Sequence, residues 1–304
     1  MTDPAEIGTR SVRTGRRRVL TAAELGLTVT IGIVGIGYAG HFVAVSDQRI
    51  SFYDTLPPID KGMAKLRQLS ADGKWFLAFA ADEIPRATLL ISKIIHSVNG
   101  LRAEERDMTL LMSKAQSDYS DVRDQAFADT YLRAIGYRDL ATFRQEGFKD
   151  LGKDEHQKHM MELHKFDLGV EMIIFGYDDQ GAARMFELLN PGRASELTFR
   201  RYAIVGSATS LAWGSIAQTP LSLEWAEIAY RLLGAKFVSE GAAIGKPTTA
   251  VVIPPNGATP HVFSDSEIDR VRDEWDREQS RPTPKAALEV IMAHSVMNGV
   301  LGGR

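Results

Sequence analysis

The sequence carries a threonine and an aspartate at the two ends of a predicted β-hairpin. Residues 28–33 alternate in character, starting at Thr28, and an apolar run over 42–45 comes shortly before Asp47. Gly37 and Gly40 bound a four-residue connection, which favours a hairpin. The start of the first strand and the end of the second lie at the same edge of a sheet. We therefore expect Thr28 and Asp47 to be neighbours, an arrangement that suggests chemistry at this edge.

Two further patterns are typical of cofactor sites, but each lacks a required part. His156, His159 and Glu162 share a helical stripe that could bind a metal ion, yet the HExxH pattern is missing. A solvated polar helix face is the favoured interpretation of that stripe. The glycines over 32–40 are followed by a strand, so the helix N-terminus of a dinucleotide site is missing. We expect neither a metal nor another cofactor.

The elements that must position these residues alternate between strand and helix signals. Apolar spacings of three and four predict helices over 84–98 and 223–237. Ser207 is expected to begin another helix, and residues 264–267 resemble a capping box for a charged helix ending near Gln279. The predicted hairpins and strands cover 28–47, 61–81, 170–189, 202–205 and 248–253.

Composition narrows the classes of function. The chain has 304 residues, a net charge of −3 and ordinary hydrophobic and charged fractions, so nucleic acid and acidic membranes are not expected as main partners. It has no cysteine, which excludes a thiolate nucleophile and cysteine-based metal sites. The sequence lacks an apolar run of about 18 residues and the apolar core of a signal peptide. A cytoplasmic location is therefore expected.

Four separate segments resemble the proteasome-type N-terminal-nucleophile hydrolases, in the order of that family. The opening TVTIGIVG and VAVSDQR resemble the family's threonine-led hairpin, and residues 61–69 resemble the lysine-bearing strand of the bacterial HslV-type protease. Residues 77–82 lie where the family has its small-residue oxyanion turn. Residues 205–208, VGSA, are similar to the family's VGSG. The resemblance covers about residues 28–254 and implies an α+β, four-layer αββα sandwich.

The resemblance also implies a role for each matched residue. Thr28 would be the nucleophile, activated by its own α-amino group once the chain before it is removed. Lys65 would act on the hydroxyl and amine electrostatically, and Asp47 would keep that lysine charged and oriented. Ala81 would donate its backbone N–H to the oxyanion, and Ser207 would support the threonine.

The resemblance divides the chain into three parts. Residues 1–27 are expected to be a flexible leader or propeptide, residues 28–263 the proteasome-like domain with a helical insertion at about 104–166, and residues 264–304 a peripheral helical tail. The family's D-x-x-S-G-G motif is replaced by residues 241–247, GAAIGKP, so that only Glu240 or Ser239, after a shift, would take its place.

The function implied is that of a threonine-type endopeptidase acting on peptides or proteins. Family members assemble into rings, so a homo-oligomeric ring is implied, and an ATP-dependent unfoldase is a possible partner. Two alternatives stay open: a non-catalytic proteasome-like subunit that keeps its leader, and an amide hydrolase acting on a small molecule.

Overall fold

The protein is a four-layer sandwich in which two antiparallel five-stranded sheets lie between layers of helices. The computed structural model describes residues 30–48, 65–102, 105, 107–217, 223–240, 244–255 and 259–279. The αββα architecture expected from the sequence is confirmed.

The strands of the two sheets follow each other in groups along the chain. Within the described residues they are β1 (Gly32–Ile36), β2 (Phe42–Asp47), β3 (Leu66–Gln68), β4 (Trp75–Ala81), β5 (Val170–Tyr177), β6 (Ala183–Leu189), β7 (Arg193–Glu196), β8 (Tyr202–Val205), β9 (Thr248–Ile253) and β10 (His261–Val262). The first sheet has the order β10-β9-β2-β1-β8, and the second has the order β3-β4-β5-β6-β7.

Helices cover the outer face of each sheet. They are α1 (Ile84–Asn99), α2 (Met108–Phe127), α3 (Leu140–Leu151), α4 (Lys153–Lys165), α5 (Thr209–Ile216), α6 (Trp225–Val238) and α7 (Asp265–Gln279) in the described residues. Four of them, α1 to α4, lie between β4 and β5 along the chain. After α2 the chain continues through a π-helical turn, Ala128–Leu132, and a 3-10 turn, Arg133–Ile135. None of the described helices combines the length and apolar character needed to cross a membrane.

Apolar side chains fill the space between the sheets and the space under each helical layer. Phe42 of the first sheet packs on Phe175 and Tyr177 of the second, with ring centroids 5.2 and 5.3 Å apart. The outer faces are buried against α1 and α2 on one side and against α5 and α6 on the other. Strands buried on both faces explain the continuous apolar runs, because neither side of these strands meets water.

The first strand begins later than expected. Pairing of β1 with both of its neighbours starts at Gly32, which lies opposite Ser46 and Val205. The preceding residues, Thr30 and Ile31, donate their backbone N–H groups to side chains instead of to a strand. Among the described residues, regular pairing of β1 therefore begins two residues after Thr30.

Two helix expectations were wrong in detail. The residue that precedes α5 as its N-cap is Ala208, and it makes no side-chain cap, so Ser207 does not cap that helix. The stripe on α4 is solvated only in part: His156 stacks on Phe143 of α3 with ring centroids 4.9 Å apart, whereas the Glu162 side chain is 41% exposed. The two helices lie side by side, and aromatic contact replaces solvent on this face. The described residues contain no group of side chains that could hold a metal ion.

The capping box at the start of α7 was predicted correctly. Ser264 Oγ and the Glu267 carboxylate are hydrogen bonded, and each also binds the other residue's backbone N–H. The helix then packs on α6 through Ile268, Val271 and Trp275. This docking brings the charged residues of α7 next to the end of α6.

Candidate active site

The first described residues lie at one end of the sandwich, between the ends of β2 and β8. The backbone N–H of Thr30 donates to Ser207 Oγ at 3.3 Å. The next N–H, that of Ile31, donates to Asp47 Oδ1 at 3.0 Å. Thr30 is nearly enclosed, with 5% of its surface exposed. Two polar side chains thus satisfy the backbone at the position where ladder pairing stops.

A buried ion pair lies directly beside this backbone. Lys65 Nζ donates to both carboxylate oxygens of Asp47, at 2.9 and 3.0 Å, and both side chains are fully enclosed. Burial lowers the pKa of Lys65 from its ordinary value, whereas the charge and hydrogen bonds of Asp47 oppose that shift. Because Asp47 also binds Ile31, it fixes the lysine relative to the start of β1. The pair thereby holds a cation where water is excluded.

Gly206 allows Ser207 to approach Thr30. Its φ is +105°, and a Cβ at this position would lie 2.0 Å from the Thr30 carbonyl oxygen. A side chain is therefore excluded by both the backbone conformation and the contact. The N–H of Gly206 donates to Glu171 Oε2 at 2.7 Å, which ties this turn to the second sheet.

The backbone amides at the end of β4 point to two different sides. The N–H of Asp82 is bonded to the Gly169 carbonyl of the β5 side at 2.8 Å, whereas that of Phe79 donates to the Lys65 carbonyl at 3.1 Å. Successive amides of a strand point to opposite sides, so the N–H of Ala81 points to the same side as that of Phe79. The Ala81 amide is consequently directed to the side on which Lys65 lies.

A cavity of about 180 Å³ opens next to these residues. One wall is formed by Thr30, Gly206 and Ser207 together with the end of β4. The lining also carries carboxylates, from Asp82, Asp167 and Glu171, and the described lining residues include no lysine or arginine. The candidate site therefore faces a space of negative charge that is large enough for a side chain or a small group.

The structure brings together four of the five residues that the sequence indicated. Asp47, Lys65, Ser207 and the end of β4 at Ala81 meet at one edge, whereas Thr28 lies outside the described residues. The residue found beside Ser207 is Thr30, which the sequence reasoning did not single out. Thr28 and Thr30 are two positions apart and would share one strand face, so alternation cannot distinguish them. The available signal was the separation along the chain from Asp47, which is two residues shorter for Thr30 than for Thr28.

Glu240 does not take the place of the missing D-x-x-S motif by contact with Thr30. Its carboxylate accepts hydrogen bonds from Lys236 and Arg272 instead. Glu240 therefore belongs to a separate charged network.

The layered architecture is the proteasome-like fold of N-terminal-nucleophile hydrolases. Among solved structures, the chain is similar to Anbu, an ancestral β-subunit, from Yersinia bercovieri: the TM-score is 0.59 at 12% identity, covering 84% of this chain and 98% of that one. A Gly-1 mutant of Anbu from Hyphomicrobium sp. strain MC1 gives a TM-score of 0.58 at 12% identity, with the same coverage. A second structure from that strain gives 0.55 at 14%, covering 84% and 99%.

The likeness to Anbu is one of fold. No family model matches the sequence, and no curated protein matches it. The function must therefore be argued from the site itself.

Proposed function

We propose that this chain is a threonine-type N-terminal-nucleophile hydrolase acting on peptides. Its nucleophile would be the hydroxyl of Thr30, after cleavage of the peptide bond between Val29 and Thr30. The observation that carries the proposal is the placement of Thr30, whose backbone nitrogen lies 3.3 Å from Ser207 Oγ. The next residue is bound to Asp47 of the buried ion pair. These contacts favour Thr30 over Thr28, which stays a prediction from the sequence.

Cleavage would turn the backbone nitrogen of Thr30 into a primary amine, whose ordinary pKa is near 8. The neutral amine takes the proton of its own hydroxyl while Oγ attacks the substrate carbonyl. Ser207 Oγ is the hydrogen-bond partner that orients the amine. The Lys65 ammonium stabilises negative charge on the attacking oxygen, and Asp47 holds that ammonium in place.

The Ala81 N–H would donate to the carbonyl oxygen as it becomes an oxyanion. The protonated amine then returns its proton to the leaving nitrogen of the substrate, and an ester to Thr30 Oγ remains. Water, deprotonated by the same amine, hydrolyses this ester and regenerates the hydroxyl. Attack of the same hydroxyl on the Val29 carbonyl, followed by hydrolysis, would remove residues 1–29.

The carboxylates of the cavity favour a cationic substrate side chain next to the scissile bond. Asp167 and Glu171 line the space beside Thr30. Opposite charges attract more strongly in such a space than in bulk water. A panel of fluorogenic peptides that differ only in a lysine, leucine or glutamate at this position is the appropriate first assay.

The fold also supports a broader assignment for the chain as a proteasome-like subunit. The expected homo-oligomeric ring, a protein substrate, a cytoplasmic location and an ATP-dependent unfoldase partner belong to this proposal. Sedimentation velocity on the purified chain tests the ring, because one chain has a mass of 33.5 kDa.

Intact mass and N-terminal sequencing test the nucleophile. The wild-type chain is expected to give a product that begins at Thr30 and hydrolyses peptides. Thr30→Ala is expected to stay uncut and inactive, whereas Thr28→Ala is expected to be cut and active. The matched pair separates the two threonines, since both changes remove one hydroxyl from the same short segment.

Each other outcome identifies an alternative. A product that begins at Thr28 would restore the sequence prediction. A chain that stays full length and hydrolyses no peptide would support a non-catalytic subunit. Cleavage at Thr30 without activity on any peptide, but with activity on small amides, would replace the peptide substrate with a small molecule.

A further inference from the structure

A second buried lysine lies close to the candidate site, and the proposed chemistry does not use it. Lys236, near the end of α6, is fully enclosed. Its Nζ donates to the carbonyl oxygens of Gly245 and Lys246, at 2.7 and 2.8 Å, and to the Glu240 carboxylate. These three acceptors match the three protons of an ammonium group, so the contacts fit a charged lysine.

Helix α7, the last of the described helices, completes this network. Arg272 of α7 forms two hydrogen bonds with Glu240, at 2.6 and 2.7 Å, in the bidentate geometry of a strong ion pair. Its guanidinium also lies 4.0 Å from the centre of the Phe237 ring. The position of Lys236 therefore depends on the docking of α7.

The carbonyls that Lys236 binds belong to the segment leading into β9, next to Asp47. Thr248 Oγ1 donates to the same Lys246 carbonyl at 2.9 Å, and Thr248 is the partner of Asp47 in the β2–β9 ladder. The N–H of Gln48 donates to the Pro247 carbonyl at 3.1 Å. An uninterrupted series of contacts thus runs from Arg272 to the end of β2.

We infer that Lys236, as an ammonium held by Glu240 and Arg272, is a positioning residue for the Asp47–Lys65 pair. It fixes the segment before β9, which supports the end of β2 that carries Asp47. A buried charge is a costly way to pack a core, and an apolar residue of similar volume would pack α6 at least as well. The inference rests on the proposed function, because the pair it positions is the proposed catalytic pair.

The pKa of Lys236 gives a readout that simple structural damage would not produce. Burial lowers this pKa to about 8, while Glu240 and Asp47 raise it and Arg272 lowers it. Activity is therefore expected to decline above about pH 8 as the ammonium loses its proton. Glu240→Gln should move the midpoint of this decline to lower pH, and Arg272→Met should move it to higher pH, each by about one unit.

The experiment is the pH profile of kcat for the processed protein, with Arg277→Met as the matched control. Arg277 is on the same helix but is exposed and pairs with Glu274, so this change should leave the midpoint in place. Opposite shifts of the two network variants support the inference. Equal midpoints in all variants, or shifts in the same direction, overturn it.

A second measurement keeps the inference separate from the proposed function. In uncut Thr30→Ala chain, hydrogen exchange is followed for the peptides that cover 42–48 and 244–253. Adding Arg272→Met should speed exchange in both peptides, and adding Arg277→Met in neither. If the variants show this exchange pattern but the wild-type protein has no activity, the proposed hydrolase function is rejected and the positioning role of Lys236 stands. Unchanged exchange in the 42–48 peptide would reject the positioning role.

Discussion

At the scale of single residues, the enclosed contact between Asp47 and Lys65 combines a structural task with the proposed catalytic one. The two side chains are fully buried, and Asp47 also binds the backbone of Ile31. Removing one partner of such a pair leaves a charge without compensation inside the protein. Stability and activity must therefore be separated by experiment.

Lys65→Met is expected to abolish hydrolysis and to destabilise the fold by about 3–5 kcal/mol. The double variant Lys65→Met/Asp47→Asn should recover much of that stability, because no buried charge remains and the amide oxygen can still accept from Ile31. It should recover no activity. Urea unfolding and peptide hydrolysis measure the two effects, and recovery of activity in the double variant would contradict the proposed electrostatic role of Lys65.

The turn at Gly206 gives a steric prediction. Gly206→Ala is expected to prevent maturation and activity, because its Cβ would meet the Thr30 carbonyl oxygen at 2.0 Å. Gly40→Ala is the matched control: its φ of +84° is also positive, but a Cβ there meets nothing within 4 Å. Both changes carry the backbone strain, of order 1 kcal/mol, and only the first has the clash. Equal processing of the two variants, measured by intact mass, would show that the clash is relieved without consequence for the site.

At the scale of elements, the sequence predicts best where a strand is buried on both faces. The limits of β4 follow from its uninterrupted apolar run, the end of β9 follows from its apolar residues and the prolines after Ile253, and the α1 limits follow from a regular helical spacing. The short edge strands β7 and β10 were missed, since polar segments of two to four residues have no periodicity to detect.

The site could be predicted only in part from the sequence, for a related reason. Local patterns give the face of a side chain but not the register between distant segments. The bond from Thr30 to Ser207 spans 177 positions, so nothing local distinguishes Thr30 from Thr28. Asp47, Lys65 and Ser207 could be found because a family resemblance supplied the long-range order that the residues themselves do not encode.

An arginine joins α2 to the end of α4, two of the helices that lie between β4 and β5 along the chain. Arg123 of α2 donates to the carbonyl oxygens of Leu163 and Phe166 at the end of α4, where few backbone N–H groups remain to bind them. Arg123→Met should speed hydrogen exchange in residues 153–165, and it should leave the Asp47–Lys65 region unchanged. Arg133→Met, at an exposed pair with Asp129, is the control. Faster exchange over 42–48 in Arg123→Met would indicate that these helices support the site directly.

At the scale of the whole molecule, a tyrosine joins the two sheets. The single hydroxyl proton of Tyr177 of β5 is shared between the carbonyl oxygens of Gly40, in the turn between β1 and β2, and Ile253 of β9, at 3.0 and 2.8 Å. Burial raises the pKa of this phenol above its ordinary value. The unfolded chain therefore loses the proton first, and the free energy of unfolding falls as the pH rises above about 10.

Tyr177→Phe is expected to lower the free energy of unfolding near neutral pH by about 1 kcal/mol. It should also reduce the further loss above about pH 10, because the titrating group is gone. Urea unfolding across that range measures both effects, and Tyr38→Phe serves as control because Tyr38 is 68% exposed. A loss above pH 10 as steep as in the wild type would assign the alkaline sensitivity to other groups.

The opposite end of the sandwich is joined by the residues around the cavity. Lys65, which directly precedes β3 of the second sheet, forms an ion pair with Asp47 of the first sheet. Glu171 of the second sheet accepts a hydrogen bond from the N–H of Gly206, next to β8 of the first. An inactive protein made by changing these residues would consequently lose contacts that hold the two sheets together. Within the described contacts the side chain of Thr30 joins nothing across the sheets, so Thr30→Ala, produced as a chain that already begins at residue 30, is the variant with which to trap an uncut substrate in an otherwise intact site.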